Sequence, residues 1–128
     1  SFEGDSAPYI LYTIVRSKSF LNRFTQDGGS LEEGQIKEAV SESEKALMLE
    51  LTRFNSVVEN AFEEKAPHKI CGYIYDLAND FNHFYHETKI LSEEKKEQKA
   101  SWINLLLLTR DVLETSIDLL GFSAPERM

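Results

Sequence analysis

The feature that most constrains the fold is a strongly apolar segment near the end of the sequence. Its apolar residues recur at helical spacing and fall on more than one face of a helix: Trp102, Ile103, Leu105, Leu106, Leu107, Leu108, Val112, Leu113, Ile117, Leu119 and Leu120. Such a helix must be covered by neighbours on several sides. Gly121 then predicts a left-handed helix end, and Pro125 cannot continue the helix. The segment therefore requires a bundle of further helices.

The rest of the chain also shows helical periodicity, and no segment alternates with the period of two expected of a strand. A first helix is predicted to begin after Pro8 and to end at residues 26–30, which are glycine-rich and polar. A glutamate-rich linker continues to about Val40 and is predicted to be mobile.

Three further helix starts can be placed from local signals. Ser41 with Glu44, and Ser56 with Glu59, match a capping box, in which serine and glutamate side chains satisfy free backbone N–H groups. Pro67 opens a longer helix. Together with the apolar segment near the end, these starts predict an all-α fold, a helical bundle of about five helices.

The composition fits one soluble domain. The chain has 128 residues, of which 41% are apolar and 28% charged, so residues 1–128 are predicted to form a single domain. No apolar run approaches the ~18 residues of a membrane helix, and no membrane partner is expected. Cys71 is the single cysteine, which fits a reducing, cytoplasmic location. The start at Ser1 rather than Met indicates a fragment of a longer protein.

The net charge of −8 restricts how the chain could bind nucleic acid. Proteins that grip a duplex through its phosphates are usually basic, so a duplex-binding role is disfavoured. Recognition of a few unstacked bases is still open, because it depends on ring stacking and on hydrogen bonds to base edges. Acidity also supports a different class of function, a helical protein-interaction module.

The motifs of common catalytic sites do not occur in the sequence. It has no glycine-rich phosphate loop, no cysteine pair for zinc and no Gly-x-Ser-x-Gly nucleophile motif, so no catalytic or cofactor-binding residue is predicted. Asp80, His83 and Glu87 share one face of the long helix and could approach a metal. Helical di-metal sites need Glu-x-x-His pairs on two helices, however, and the last helix has no histidine. A solvated polar face is the preferred interpretation, and no metal site is predicted.

Tyr9, Tyr12 and Arg16 form one stripe of the first helix, at positions i, i+3 and i+7. Two phenol rings beside a guanidinium could stack on unpaired bases and neutralise a phosphate. From spacing alone, half-buried core tyrosines with their hydroxyls at the rim are the favoured interpretation.

The aromatic run at residues 81–85 leaves a similar choice. One edge must pack into the core, while the other could present Asn82 and Tyr85, or His83, outward. An asparagine amide carries both donors and an acceptor, which suits a base edge.

Several segments, in order along the chain, resemble the C-terminal anticodon-binding domain of arginyl-tRNA synthetases. They are residues 2–9 with Tyr12 and Arg16, then 77–78, 81–85, 109–113, 119–121 and 125–128. The terminal Pro-Glu-Arg-Met after Leu-Leu-Gly is especially characteristic. This sequence departs from the family pattern at Ala7, Leu11, Lys18 and Ser116, where glycine, glutamine, arginine and glycine are common.

The resemblance implies a class I aminoacyl-tRNA synthetase whose catalytic domain lies before Ser1. That domain would use ATP with magnesium to attach arginine to tRNA(Arg). The present chain would be inactive alone and would bind the anticodon stem-loop of tRNA(Arg), as part of a cytoplasmic monomer. An anticodon-binding domain of another class I synthetase, such as the cysteine enzyme, is the alternative within this class.

The resemblance also implies a set of anticodon-binding residues: residues 3–6, Tyr9, Tyr12, Arg16, Phe81, Asn82, Tyr85 and Met128. Aromatic faces would hold splayed bases while Asn82 contacts their edges. Arg16, Lys18, Arg23 and Arg127 would neutralise phosphates.

Overall fold

The computed structural model describes residues 6–31 and 34–123, with side chains for 7–31 and 34–121. Its elements are α1 (Ser6–Gln26), α2 (Glu42–Thr52), α3 (Phe54–Glu63), α4 (His68–Glu87) and α5 (Lys96–Ser123). These ranges contain helices and no strand, so the predicted all-α bundle of about five helices is confirmed. None of the helices in the described ranges is long and apolar enough to cross a membrane.

Helix α4 lies at the centre of the bundle and contacts each of the other four helices. Its buried apolar residues recur at intervals of three and four, including Ile70, Ile74, Leu77, Phe81 and Phe84. This spacing gives a helix an apolar stripe wide enough for neighbours on more than one side. The residues on α4 between those buried positions are therefore the ones that can form a site.

Helix α1 packs against α4 and α5 through one face. Ile10, Ile14 and Leu21 are buried on that face, whereas Leu11 and Val15 are exposed. The helix begins at Ser6, three residues earlier than the predicted start after Pro8. Pro8 is tolerated there because the first N–H groups of a helix have no acceptor within the helix.

The capping box at α2 confirms one predicted helix start. Ser41 Oγ accepts a hydrogen bond from the Glu44 N–H at 3.1 Å. The Glu44 carboxylate accepts from the Val40 N–H at 2.9 Å, one residue before the serine. Both ends of the motif therefore satisfy backbone donors that the helix leaves free.

The predicted helix start at Ser56 is wrong, because α3 already begins at Phe54. Arg53 keeps a right-handed helical conformation while it ends α2 and precedes α3, so the chain barely interrupts its helical path. Ser56 donates its hydroxyl hydrogen to the Arg53 carbonyl at 3.1 Å and lies inside the helix.

The predicted left-handed helix end at Gly121 is also wrong, since α5 continues through Gly121 to Ser123. Among the glycines in the described ranges, Gly28 has the positive φ, 95°. Its N–H donates to the Thr25 carbonyl at 3.1 Å, and the next N–H donates to the Phe24 carbonyl at 2.9 Å, which ends α1. A glycine therefore marks the end of α1 but not the end of α5.

The segment between α1 and α2 packs on α5 rather than extending freely. Ile36 is half-buried against the core, and the Lys37 N–H donates to Ser101 Oγ at 2.8 Å. These contacts hold Ile36 and Lys37 against the bundle, so the linker is packed at these two residues.

Candidate functional site

The contact between α1 and α4 brings two sets of aromatic residues together. We call Tyr9, Tyr12 and Arg16 on α1, with Tyr75 and Tyr85 on α4, the tyrosine–arginine surface. The sequence placed the α1 residues on one stripe, and the structure sets that stripe beside the α4 residues. Side chains three, four or seven positions apart share a helix face, which explains why each helix contributes a set.

The guanidinium of Arg16 is held at the centre of this surface. Its carbon lies 4.5 Å from the Tyr85 ring centroid and 5.2 Å from that of Tyr12. Arg16 Nη1 also donates to Asn82 Oδ1 at 2.8 Å. Among the described side chains, no carboxylate forms an ion pair with Arg16. Two rings and a neutral amide therefore hold a cation whose charge is not cancelled locally.

Asn82 is buried beneath the surface, with 5% of it exposed. Its Nδ2 group lies 3.0 Å from Tyr9 Oη, 2.8 Å from Thr13 Oγ1 and 3.0 Å from the Ala78 carbonyl oxygen, each of which it can donate to. Its Oδ1 accepts from Arg16. In this structure the amide has no free edge to offer a base, and it joins α1 to α4.

Phe81 is fully buried in the core and has no face open to a ligand. It stacks on Tyr85 with ring centroids 5.7 Å apart and an interplanar angle of 28°. Phe20 meets the same tyrosine edge-on at 5.7 Å. Phe81, predicted to contact the anticodon, lies beneath Tyr85 in this structure and supports its ring. Tyr85 in turn supports Arg16 with its half-buried ring.

Tyr12 is the most open of the predicted ring residues, with 54% of it exposed. Tyr9 is half-buried, and its hydroxyl donates to Asn79 Oδ1 at 3.2 Å. From spacing alone a half-buried, rim-anchored tyrosine was favoured, and the geometry of Tyr9 fits that interpretation. Tyr12 differs, because a side of its ring faces solvent and can accept a stacking partner.

Tyr75 was missed in the sequence analysis and extends the surface along α4. It is 42% exposed, and its ring centroid lies 5.7 Å from that of Tyr9. The available signal was its position four residues before Asn79 and seven before Asn82, on one stripe of α4. The apolar periodicity of α4 marks only its buried face, so it gives no indication of the stripe that contains Tyr75.

Several predicted site residues cannot be placed. Residues 3–5, Arg127 and Met128 lie outside the described residues, and Ser6 is described only as the first residue of α1. Arg23 is exposed at the end of α1. Lys18, predicted to neutralise a phosphate, pairs with Glu114 on α5 at 2.7 Å. The two side chains are 51% and 40% exposed, so this pair is weak and can exchange partners.

A separate acidic contact joins α2 to α4, away from the tyrosine–arginine surface. Burial raises the pKa of Glu50 above its ordinary value, and a hydrogen bond with Asp80 raises it further, while Arg53 opposes both. Burial and the charge of Glu50 likewise raise the pKa of Tyr73, whose hydroxyl donates to the Glu50 carbonyl at 2.7 Å.

Within residues 6–31 and 34–123 no three His, Cys, Asp or Glu side chains are placed to hold a metal ion.

Comparison with known proteins identifies relatives along the whole chain. A family model described as the DALR anticodon binding domain matches residues 10–128. The arginine–tRNA ligase of Agathobacter rectalis is 58% identical over 130 residues, which cover 100% of this chain and 22% of that protein. The ligase of Alkaliphilus oremlandii is 55% identical, again over 100% of this chain and 22% of the relative. The ligase of Francisella tularensis subsp. tularensis is 38% identical over 98% of this chain and 22% of its own length.

Proposed function

The chain belongs to the DALR anticodon-binding domain family of arginine–tRNA ligases, and on that premise we propose that it binds the anticodon stem-loop of tRNA(Arg) through the tyrosine–arginine surface. The observation that carries the proposal is Arg16, an uncancelled cation resting between two rings at the solvent boundary. A cation with flanking ring faces suits unpaired nucleotides, each of which offers a base face and a phosphate.

The proposal includes the complete protein. The chain spans 22% of the length of these relatives. We propose that residues 1–128 act as a single anticodon-binding domain of a cytoplasmic, monomeric enzyme that attaches arginine to tRNA(Arg). ATP with magnesium would be used by a catalytic domain outside these residues, and the 128-residue chain alone would be inactive.

Charge segregation reconciles the acidic chain with an RNA partner. Helix α1 contains Arg16, Lys18 and Arg23 and no Asp or Glu, whereas the whole chain has a net charge of −8. In the sequence, Glu3 and Asp5 precede α1 and Asp27 follows it directly, and the other acidic residues belong to later helices and segments. Charges in water are screened beyond about 8–10 Å at ordinary salt. A phosphate at this surface is therefore attracted mainly by the basic residues of α1 that lie close to it.

Tyr12 offers the most direct stacking contact, and Asn82 and Phe81 act beneath the surface. One unstacked base can stack on the exposed face of Tyr12, and such stacking contributes roughly 1–3 kcal/mol to binding. Arg16 lies one helical turn further along α1 and can neutralise the adjoining phosphate. The rival interpretations, a domain of another class I synthetase or a protein-interaction module, are disfavoured because the relatives that cover this whole chain are arginine–tRNA ligases.

The test is the affinity of the chain for an RNA hairpin that carries an arginine anticodon. Tyr12→Ala should weaken binding by about tenfold or more, because it removes a stacking partner. Phe62→Ala is the matched control, since Phe62 is an aromatic residue on α3 with 56% exposure, close to the 54% of Tyr12. Equal affinities for Tyr12→Ala and the parent chain would refute the proposed surface. A hairpin with a non-arginine anticodon that binds equally well would refute the proposed specificity.

A further inference from the structure

The structure contains one buried amide at the place where α1 meets α4. Nearly all other buried side chains on α4 are apolar. Asn82 instead has two side-chain oxygens and a backbone carbonyl within hydrogen-bonding distance of its two Nδ2 hydrogens, and it accepts from Arg16 through Oδ1. A leucine of similar size would fill this position without the cost of burying a polar group. The presence of an amide here is therefore better explained by the side chains that it fixes in position than by a contribution to core stability.

We propose that Asn82 is a positioning residue for anticodon binding, which touches no nucleotide and fixes the guanidinium of Arg16 and the phenol of Tyr9 at the surface. This inference rests on the proposed function, because it assumes that the tyrosine–arginine surface binds RNA. It assigns Asn82 a different role from the base-edge contact that the sequence predicted.

The first consequence concerns the order of the Arg16 side chain. A free arginine has many rotamers, and a ligand that binds it must restrict them, which lowers affinity. Here Nη1 is anchored to Asn82 at 2.8 Å, and the Tyr85 ring lies under the guanidinium at 4.5 Å. For the other N–H groups of this guanidinium, the described side chains offer no acceptor. Those groups are held in place and available to a phosphate.

The second consequence concerns the charge of Arg16. An aspartate at position 82 could also accept the hydrogen bond, but its charge would cancel the cation that a phosphate needs. The neutral amide oxygen fixes the guanidinium and leaves its positive charge intact. An amide also supplies the N–H groups that Tyr9 and Thr13 accept, which a carboxylate lacks.

The Tyr9 hydroxyl is fixed from both sides. It accepts from Asn82 Nδ2 at 3.0 Å and donates to Asn79 Oδ1 at 3.2 Å. Asn79 is exposed and makes no hydrogen bond with Arg16 within the described chain. Asn79→Ala is thus a control that removes an amide from the same helix and the same network without touching the arginine.

The first experiment follows the Arg16 side-chain N–H signals by NMR in the RNA-free 128-residue chain. In the parent chain these signals should be displaced by the Tyr85 ring and exchange slowly. Asn82→Ala should move them to the positions of a freely rotating arginine, whereas Asn82→Asp and Asn79→Ala should leave Arg16 ordered. Unchanged Arg16 signals in Asn82→Ala would overturn the inference, whether or not the chain binds RNA.

The second experiment measures hairpin affinity for Asn82→Ala, Arg16→Ala and the double variant. Asn82→Ala should lose about tenfold, and in the Arg16→Ala background the same change should cost less than threefold, because most of its effect passes through Arg16. Full additivity would overturn the inference. Asn82→Asp should bind weakly although Arg16 stays ordered, and it replaces Asn82→Ala if thermal unfolding shows that the alanine variant is not folded.

Ser116→Ala is the control for a purely structural effect. Ser116 is buried on α5, where its hydroxyl donates to the Val112 carbonyl at 2.7 Å and does not bond to Arg16 or Asn82. This variant should keep both the Arg16 signals and the affinity. If the parent chain binds no hairpin, the proposed function fails, and the NMR result still decides whether Asn82 positions Arg16.

Discussion

The neighbours of Arg16 fix the position of its guanidinium and leave its positive charge intact. The ring centroids of Tyr12 and Tyr85 lie 5.2 Å and 4.5 Å from the guanidinium carbon, within the range of cation–π contacts. Asn82 fixes one end of the planar group at 2.8 Å without cancelling its charge. A lysine ammonium is a compact point charge that can neither stack on a ring nor be held in a plane.

Arg16→Lys should therefore separate the two contributions. We expect hairpin affinity to fall by about fivefold to tenfold, because the charge is retained while the stacked, anchored geometry is lost. The slope of log affinity against log salt should stay unchanged in Arg16→Lys and should become shallower in Arg16→Ala, which removes a phosphate contact. Arg23→Lys on the same helix is the control and should change neither quantity. An Arg16→Lys variant with parental affinity would mean that only charge matters at this position.

At the level of whole helices, the contact between α2 and α4 contains a carboxyl pair whose energy depends on pH. Burial and the hydrogen bond with Asp80 raise the pKa of Glu50. A raised folded-state pKa means that the folded chain binds the proton more tightly than the unfolded chain. The stability from this proton is present below the ordinary carboxyl pKa of about 4 and is lost as pH rises through the raised value.

Glu50→Gln should therefore stabilise the chain at pH 7 and have little effect near pH 4, where Glu50 is already protonated. Urea unfolding at the two pH values measures the difference. The lost ion pair with Arg53 should matter little, since the arginine side chain is 53% exposed. Glu59→Gln, at an exposed position on α3, is the control and should have no pH-dependent effect. A constant difference between Glu50→Gln and the parent at both pH values would contradict the assignment.

Helix boundaries show which parts of the fold were predictable from sequence. The start at Ser41 was predicted correctly because its hydrogen bond to Glu44 spans three residues and needs no distant partner. The start at Ser56 was wrong because Arg53 stays helical, a conformation that the preceding helix and the core impose. Gly121 permits a helix end without requiring one, and α5 continues through it.

The site was predictable only in part, for a related reason. Periodicity placed Tyr9, Tyr12 and Arg16 on one stripe of α1. How much of each ring is exposed to solvent depends on how α4 packs against α1, which periodicity does not show. On α4, which contacts each of the other four helices, the same periodicity could not tell that Phe81 and Asn82 face inward. The open and closed faces of a central helix are set by how the other helices pack on it.

Over the whole molecule, the distribution of charge matters more than its sum. Helix α1 carries three basic residues and no acidic one in a chain of net charge −8. Lys18 at its centre is partly neutralised by Glu114 of α5, at 2.7 Å. Arg110 also approaches Glu114, at 4.0 Å. Among the residues that the structure describes, this carboxylate is the one that pairs with a basic residue of α1, so it is placed to weaken a phosphate contact there.

Two charge-matched variants can separate local charge from net charge. Glu114→Gln and Glu97→Gln each change the net charge by one, from −8 to −7. Glu97 pairs with Lys37 at 3.6 Å, on the linker rather than on α1. Glu114→Gln should tighten hairpin binding by about twofold to fivefold and steepen the salt dependence by roughly 0.7 per additional phosphate contact. Glu97→Gln should do neither, because Glu97 pairs with Lys37 and forms no ion pair with a basic residue of α1. Equal gains in the two variants would show that RNA senses only the total charge, and the basic face of α1 would then have no special part in recognition.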